Sequence, residues 1–123
     1  MKECGIMREE NDIQASIVAY LAAVAPEIFV YGIPNASIRR RGGRAGNAVP
    51  GLRAGVPDLG LVLPGGQAGF IECKSARGIL SADQIACRDA ICAAGGRWTV
   101  ARGIDDVREA LALWDVKTRE VRS

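Results

Sequence analysis

Two short apolar runs joined by a four-residue turn constrain the fold of this chain most strongly. The runs span residues 58–63 and 68–74, and Pro64-Gly65-Gly66-Gln67 separates them. Proline and glycine are strong turn formers, so the runs are expected to pair as adjacent antiparallel strands. The fold is therefore expected to be built around this hairpin.

The hairpin is also expected to bring charged side chains together. Because side chains alternate along a strand, Glu72 and Lys74 share one face while Cys73 lies on the other. Asp58 begins the first run, and the turn returns the end of the second run to its side. Two carboxylates and an ammonium group should thus meet at one end of the hairpin.

This convergence is typical of a metal-assisted phosphodiester nuclease. Burying unpaired charges costs several kcal/mol, which a bound divalent cation would offset. Oxygen ligands from Asp58 and Glu72 suit Mg²⁺ or Mn²⁺, which would hold a scissile phosphate and lower the pKa of an attacking water. Lys74 would orient or help deprotonate the water, or neutralise charge in the transition state. The alternative is that Glu72 and Lys74 form a solvated pair on an edge strand.

A basic segment precedes the hairpin. No acidic residue lies between Glu27 and Asp58, and the interval 35–55 is rich in glycine and small residues. Its arginines are Arg39, Arg40, Arg41, Arg44 and Arg53. Arginine makes bidentate phosphate contacts that release counterions, so we expect contact with nucleic acid without sequence preference. Aromatic residues are scarce in the loop, so base stacking is not expected to be its main contribution to nucleic-acid affinity. The alternative is a loop that only adds solubility.

Length and composition set further limits. A chain of 123 residues and 13.0 kDa predicts a single domain over residues 1–123, with a core at about 8–115 and a frayed tail at about 117–123. There is no histidine, which excludes histidine general-base chemistry and disfavours a zinc site. Without a C-x-x-C pair, Cys73, Cys87 and Cys92 are expected to be reduced core thiols, which favours the cytoplasm. No membrane span is expected.

The remaining segments predict a small α/β frame in the order α-β-β-β-α-β-α. A mixed β-sheet flanked by helices follows, with the last strand parallel to a neighbour. The expected elements are a helix from Arg8 to Val24, a strand at 28–33, a helix capped by Ser81 and running to Ala94, a strand at 97–102, and a last helix capped by Asp105 and running to about Trp114.

Three polar residues on the helices are further candidates. Glu10 and Gln14 lie one turn apart on the first helix, and Gln84 lies in the first turn after Ser81. Solvent exposure is the simpler interpretation of Gln14 and Gln84 taken singly. Glu10 also suits a helix N-terminus through the helix dipole.

Five short blocks follow one another along the chain. They are Glu10-Asn11-Asp12-Ile13-Gln14, Pro34-Asn35, Gly55-Val56-Pro57-Asp58-Leu59, Glu72-Cys73-Lys74 and Leu80-Ser81-Ala82-Asp83-Gln84. Together they resemble the VRR-NUC domain, a branch of the PD-(D/E)xK nuclease superfamily, over about residues 10–102. The resemblance implies a restriction-endonuclease-like core whose hairpin carries the metal ligands.

The resemblance also implies a role for each matching residue. Asp58 and Glu72 would ligate Mg²⁺ or Mn²⁺ together with the backbone carbonyl of Cys73, and Lys74 would be the catalytic lysine. Glu10 would reach the metal or its waters, and Gln84 would lie beside the site. Asn35 is a candidate DNA contact, but it is followed by Ala36 where an acidic residue or glycine is often found, so its role stays open.

Short stand-alone members of this family resemble phage or bacterial homodimers that act on branched DNA such as four-way (Holliday) junctions. The resemblance therefore implies a structure-selective DNA endonuclease of a bacterial or phage-infected cytosol. A non-catalytic nucleic-acid-binding module on a nuclease scaffold is the main alternative. A structural subunit without DNA affinity is a second one, which the acid-free arginine stretch disfavours.

Overall fold

The computed structural model describes residues 2–34 and 49–119. These residues form three helices and four strands in the expected order. The elements are α1 (Lys2–Val24), β1 (Phe29–Gly32), β2 (Leu59–Val62), β3 (Ala68–Cys73), α2 (Ala82–Ala93), β4 (Arg97–Ala101) and α3 (Ile104–Leu113). The mixed α/β fold predicted from the sequence is confirmed.

The four strands form one sheet in the order β1-β2-β3-β4. β2 pairs antiparallel with both β1 and β3, whereas β3 pairs parallel with β4. In the central hairpin Leu59 lies opposite Ile71. One step further along each strand, Asp58 and Glu72 are opposite one another, as the hairpin prediction requires.

One face of the sheet carries the hydrophobic core. α1 and α3 both contact the sheet and each other. The most deeply buried side chains belong to both helices and to the two central strands: Ile17, Leu21, Leu59, Leu61, Ile71, Cys73, Val107 and Leu111. Burying each aliphatic side chain of this set stabilises the fold by roughly 1.5–3 kcal/mol.

The opposite face is covered by α2 on the β4 side. α2 contacts β4, and the guanidinium of Arg88 lies 5.8 Å from the centre of the Trp98 ring. Because side chains alternate, Asp58 and Glu72 lie on this face, away from the core residues Leu59 and Ile71. The core thus supports the hairpin from behind while leaving its carboxylates beside α2.

Three expectations for the helices and cysteines need correction. α1 begins at Lys2, ahead of the expected Arg8. Asp105 does not cap α3: Gly103 is the N-cap residue, and Asp105 lies in the first turn, where it pairs with Arg108. Cys92 is exposed, because the turn of α2 that carries it faces solvent, whereas Cys73 and Cys87 are buried.

Arg119, in the segment after α3, bonds to the end of α1. Arg119 donates its backbone N–H to Val24 O at 2.7 Å and its Nε–H to Ala23 O at 2.8 Å. These bonds satisfy carbonyls at the C-terminal end of α1. Among the described residues, none of the helices is long and apolar enough to span a membrane.

Candidate active site

Asp58 and Glu72 meet at the open end of the hairpin. The backbone N–H of Cys73 donates to Asp58 Oδ2 at 2.8 Å, which holds the aspartate against the end of β3. Glu72 is only 2% exposed. The hairpin pairing therefore places one carboxylate in a fixed orientation directly beside a second, buried one.

Burial dominates the electrostatics of Glu72. Its pKa is raised from 4.5 to about 9, first by burial and then by the neighbouring Asp58 carboxyl group. Lys74 opposes this rise and Glu10 adds to it. The carboxyl oxygen Oε1 of Glu72 is buried and accepts no hydrogen bond from a donor group in residues 2–34 and 49–119. Such an orphaned oxygen costs stability in the absence of a ligand.

Gln84 connects α2 to the carboxylate pair. Its Nε2 donates to Glu72 Oε2 at 3.2 Å, and its Oε1 accepts from Ser81 N at 2.9 Å. The Ser81 hydroxyl in turn accepts from Gln84 N at 3.1 Å, which completes a capping box. Solvent exposure, the simpler interpretation of Gln84, therefore does not describe it.

The turn before Asp58 fits closely against the same helix end. Gly55 has φ +79°, and a Cβ added there would lie 2.3 Å from the backbone of Asp83 and 2.6 Å from Gln84 N. A side chain at this position would push the turn and the helix apart. Gly55 thus allows two blocks that are distant in sequence to touch beside the site.

Glu10 reaches the site from α1. Its Oε2 accepts a hydrogen bond from Ser75 N at 3.4 Å, immediately after Lys74. Its charge contributes to raising the pKa of Cys73 to about 12, for which burial is the largest cause. Glu10 therefore lies close to the end of β3, although 65 residues separate it from Ser75.

Arg102 supports the segment that follows β3. Its guanidinium Nη1 donates to Ser75 O at 2.6 Å and to Gly78 O at 2.7 Å. In addition, Lys74 N donates to Ala101 O at 3.0 Å. Sequence analysis missed Arg102, because an arginine after a strand gives no local sign that it binds carbonyls 24 to 27 residues away.

The donor set fits a hard divalent cation. Asp58 and Glu72 provide carboxylate oxygens, and Oε1 of Glu72 has no hydrogen-bond donor within the part of the chain that the structure describes. In a strand, the N–H and C=O of one residue point to the same side. The Cys73 carbonyl therefore points to the side of Asp58, which receives the Cys73 N–H.

The protein does not enclose this position with acidic ligands. Among the described residues, no three His, Cys, Asp or Glu side chains are arranged as a metal-binding group. Mg²⁺ usually retains several waters and binds through one or two carboxylates together with substrate oxygens. Two carboxylates and a carbonyl are consistent with that mode.

The structure separates the candidate residues into three groups. Those that it brings together are Glu10, Asp58, Glu72, Cys73, Lys74 and Gln84. Arg53 is exposed, and its charge acts on Cys87 of α2. The others, Asn35, Arg39, Arg40, Arg41 and Arg44, lie outside the described residues.

Comparison with known proteins gives three findings. The VRR-NUC domain model matches residues 4–105. A solved structure titled "VRR_NUC domain protein" has a TM-score of 0.49 and 22% identity over 68% of this chain, and the match spans 64% of that protein's length. No relative was found among curated proteins. Since the family model covers most of the sequence, this chain belongs to the VRR-NUC domain family, a nuclease-type family.

Proposed function

We propose that this protein is a Mg²⁺- or Mn²⁺-dependent DNA endonuclease that hydrolyses phosphodiester bonds, with branched DNA such as four-way junctions as its substrate. The buried Glu72 beside Asp58 is the observation that carries this proposal. An apolar pair at these positions would cost less to bury, so folding alone does not favour two adjacent carboxylates there. Binding of a cation by these carboxylates would explain why they are placed there.

Different residues of the site would bind the cation and act on the attacking water. Asp58 and Glu72 would hold the cation together with the Cys73 carbonyl. When bound, the cation would supply positive charge at the scissile phosphate and lower the pKa of the attacking water. Lys74, half-buried next to Glu72, would orient that water or neutralise charge on the phosphate.

Two residues outside the ligand set would position it. Gln84 fixes one oxygen of Glu72 with its side-chain amide, which leaves Oε1 for the cation. Glu10 holds the backbone after Lys74 and adds negative charge near the site. Mutation of residues that hold metal ligands in place commonly lowers metal affinity or activity by about 10- to 100-fold.

DNA affinity would come from the acid-free segment between β1 and β2. Arg39, Arg40, Arg41, Arg44 and Arg53 would contact phosphates, with Asn35 as a further candidate. The proposal includes a homodimer, because two sites are needed to cut two strands in one assembly. It also includes a reducing, cytoplasmic setting, in which the free Cys73, Cys87 and Cys92 stay reduced.

The decisive experiment is a cleavage assay on purified protein. Labelled four-way junction, flap and linear duplex DNA are incubated with Mg²⁺, Mn²⁺ or EDTA. We expect metal-dependent cleavage that Asp58→Ala and Lys74→Ala abolish without loss of folding. Asp12→Ala and Lys117→Ala, which remove exposed charges of the same type, should cleave normally. Retained metal-dependent turnover in Lys74→Ala would refute the assigned role of the lysine.

Binding is tested separately by salt titration. Changing Arg39, Arg40, Arg41 and Arg44 to Ala together should weaken DNA binding and flatten its dependence on salt concentration. Each lost phosphate contact lowers the slope by about 0.9. A variant with Arg97 and Arg108 changed to Ala loses positive charge outside the segment, and its change in slope per arginine is the control. An unchanged slope in the fourfold variant would exclude the segment from DNA contact.

A non-catalytic DNA-binding module on the same scaffold is the second candidate function. It is disfavoured by the adjacent carboxyl groups of Asp58 and Glu72, because a surface that only binds DNA gains nothing from burying an acidic pair. The two functions differ in their response to metal. A pure binding module should bind DNA equally well with Mg²⁺ and with EDTA, and should never cleave it.

A further inference from the structure

Two aromatic rings lie on the part of the sheet that α2 leaves uncovered. Phe29 and Tyr31 are alternate residues of β1, and their ring centres are 5.8 Å apart with planes inclined by 41°. Phe29 is 64% exposed and Tyr31 is 39% exposed. Packing of the hydrophobic core therefore does not explain why β1 carries them.

Strand pairing places these rings on the same face as the candidate active site. Tyr31 lies opposite Gly60, which is two residues from Asp58 along the chain. Because side chains alternate, Gly60 and Asp58 share the face opposite that of the core residue Leu59. One strand spacing and two residues separate Tyr31 from Asp58, which corresponds to about 8 Å between their Cα atoms.

Gly60 lets the tyrosine ring lie against the sheet. A Cβ added to Gly60 would be 2.2 Å from Cζ and 2.5 Å from Cε2 of Tyr31. The ring therefore occupies the space that any other residue at position 60 would fill. The strand supports the ring from behind, and its exposed fraction is left for a ligand.

The charge around the rings suits an anionic ligand with flat aromatic groups. No acidic residue occurs from Ile28 to Pro57, so β1 carries no negative charge that would repel phosphate. Lys74 lies at the site, and exposed Arg53 precedes β2. Aromatic side chains beside positive charge are typical of surfaces that bind single-stranded nucleic acid, because every base has a face that can stack.

We propose that Phe29 and Tyr31 form a stacking platform for unpaired bases of the DNA substrate, next to the phosphodiester bond that is cut. This inference rests on the proposed nuclease function and deepens it. Tyr31 lies about one nucleotide's length from Asp58, and Phe29 lies two residues further from it along β1. A strand with unpaired bases there can stack on them, whereas the bases of an intact duplex already stack on each other. Among branched DNAs, the platform thus favours those with single-stranded nucleotides at the site.

The test measures binding in EDTA, so that it does not depend on cleavage. Fluorescence anisotropy compares three DNAs: a flap, the same flap with abasic sites in its unpaired arm, and a blunt duplex. We expect the wild-type protein to bind the flap about tenfold more tightly than the abasic flap. Tyr31→Ala and Phe29→Ala should lose this difference and leave duplex binding unchanged. Tyr31→Phe keeps the ring and should keep the preference.

Leu113→Ala is the matched control, because Leu113 is an exposed apolar residue on α3. It should bind all three DNAs as the wild-type protein does. A flap containing 5-iodouracil in the unpaired arm should also crosslink to Tyr31 or Phe29 on irradiation, as identified by mass spectrometry. This readout uses the unaltered protein and does not depend on the stability of a variant.

Several outcomes would overturn the platform. Equal wild-type affinity for the flap and the abasic flap would do so. A Tyr31→Ala variant that loses as much affinity for the duplex as for the flap would also overturn it. A Tyr31→Ala variant whose assembly in solution has a different mass by light scattering would assign the rings to a subunit interface instead. A base preference without metal-dependent cleavage would instead support the platform and refute the nuclease proposal.

Discussion

Gln84 donates a hydrogen bond from its side-chain amide to Glu72 at 3.2 Å, although the two residues lie on different elements. The same amide group accepts from Ser81 N, so the N-terminal turn of α2 and the carboxylate of β3 are fixed by one side chain. A residue that caps a helix thereby also orients a candidate metal ligand. Capping and positioning can be separated experimentally because Ser81 takes part only in the cap.

Gln84→Ala should therefore lower activity much more than Ser81→Ala does. Both remove half of the capping box, which costs about 1 kcal/mol of unfolding free energy. Only Gln84→Ala also removes the hydrogen bond that orients Glu72, so it should lower the cleavage rate about 10-fold or more. Denaturant unfolding and single-turnover cleavage measure the two effects. Equal activity losses in both variants would mean that Gln84 acts through the helix alone.

Glu10→Gln should lower cleavage while its neighbour Glu9→Gln does not. Glu10 reaches Ser75 beside the site, whereas Glu9 is exposed on the same turn of α1. The glutamine can keep a hydrogen bond to Ser75 N but removes the charge near Glu72. We expect a loss of about tenfold, with a higher Mg²⁺ concentration needed for half-maximal rate. An identical Mg²⁺ requirement in both variants would contradict an electrostatic role for Glu10.

The raised pKa of Glu72 predicts how the metal-free protein responds to pH. In the folded protein this carboxyl keeps its proton up to about pH 9, whereas in the unfolded chain it loses it near 4.5. Folded molecules bind more protons between these values, so the free energy of unfolding should fall as pH rises through that window. Denaturant titrations in EDTA at pH 5 and pH 8 should differ by a few kcal/mol.

Glu72→Gln provides the control for the pH experiment. It keeps the shape of the side chain and cannot ionise, so this part of the pH dependence should disappear. Metal binding should also release a proton from the wild-type site, which calorimetry in buffers of different ionisation enthalpy detects. A wild-type stability that rises from pH 5 to pH 8 would contradict the raised pKa.

Arg102→Ala should destabilise the protein by about 2 kcal/mol and lower cleavage as well. Its guanidinium binds the carbonyls of Ser75 and Gly78, so its loss leaves partly buried acceptors without their charged donor. The segment after Lys74 would then be less fixed beside the site. Arg97→Ala is the matched control, because Arg97 is exposed and its side chain binds the exposed Gln67 at 3.3 Å. A normal cleavage rate in a folded Arg102→Ala variant would limit its role to stability.

Local patterns predicted the hairpin and the cap of α2. Pro64-Gly65-Gly66-Gln67 imposes a turn whatever surrounds it, and Ser81 forms its capping bonds within one helical turn. The juxtaposition of Asp58 with Glu72 followed from the hairpin geometry. The expected order of elements was also confirmed, because each element carries its own periodicity and boundary residues.

Contacts between distant segments could not be predicted in this way. Nothing local to Gln84 or Arg102 indicates which carboxylate or carbonyl it will bind, because the partner is chosen by how α2 and β4 pack on the sheet. Asp105 was wrongly expected to cap α3. The extended backbone of Gly103 takes the N-cap position, so the helix begins at Ile104. The exposure of the Cys92 side chain likewise depends on which face of α2 packs on the sheet, and not on the neighbouring alanines.

The parallel pairing of β3 with β4 has a consequence for protein synthesis. Lys74 is anchored to Ala101, and Arg102 holds the residues that follow it. A nascent chain that has reached only α2 therefore lacks the strand that supports the carboxylate end of the hairpin. The carboxylate end of the hairpin is therefore complete only once β4 has been synthesised, so the site forms late in the making of the chain.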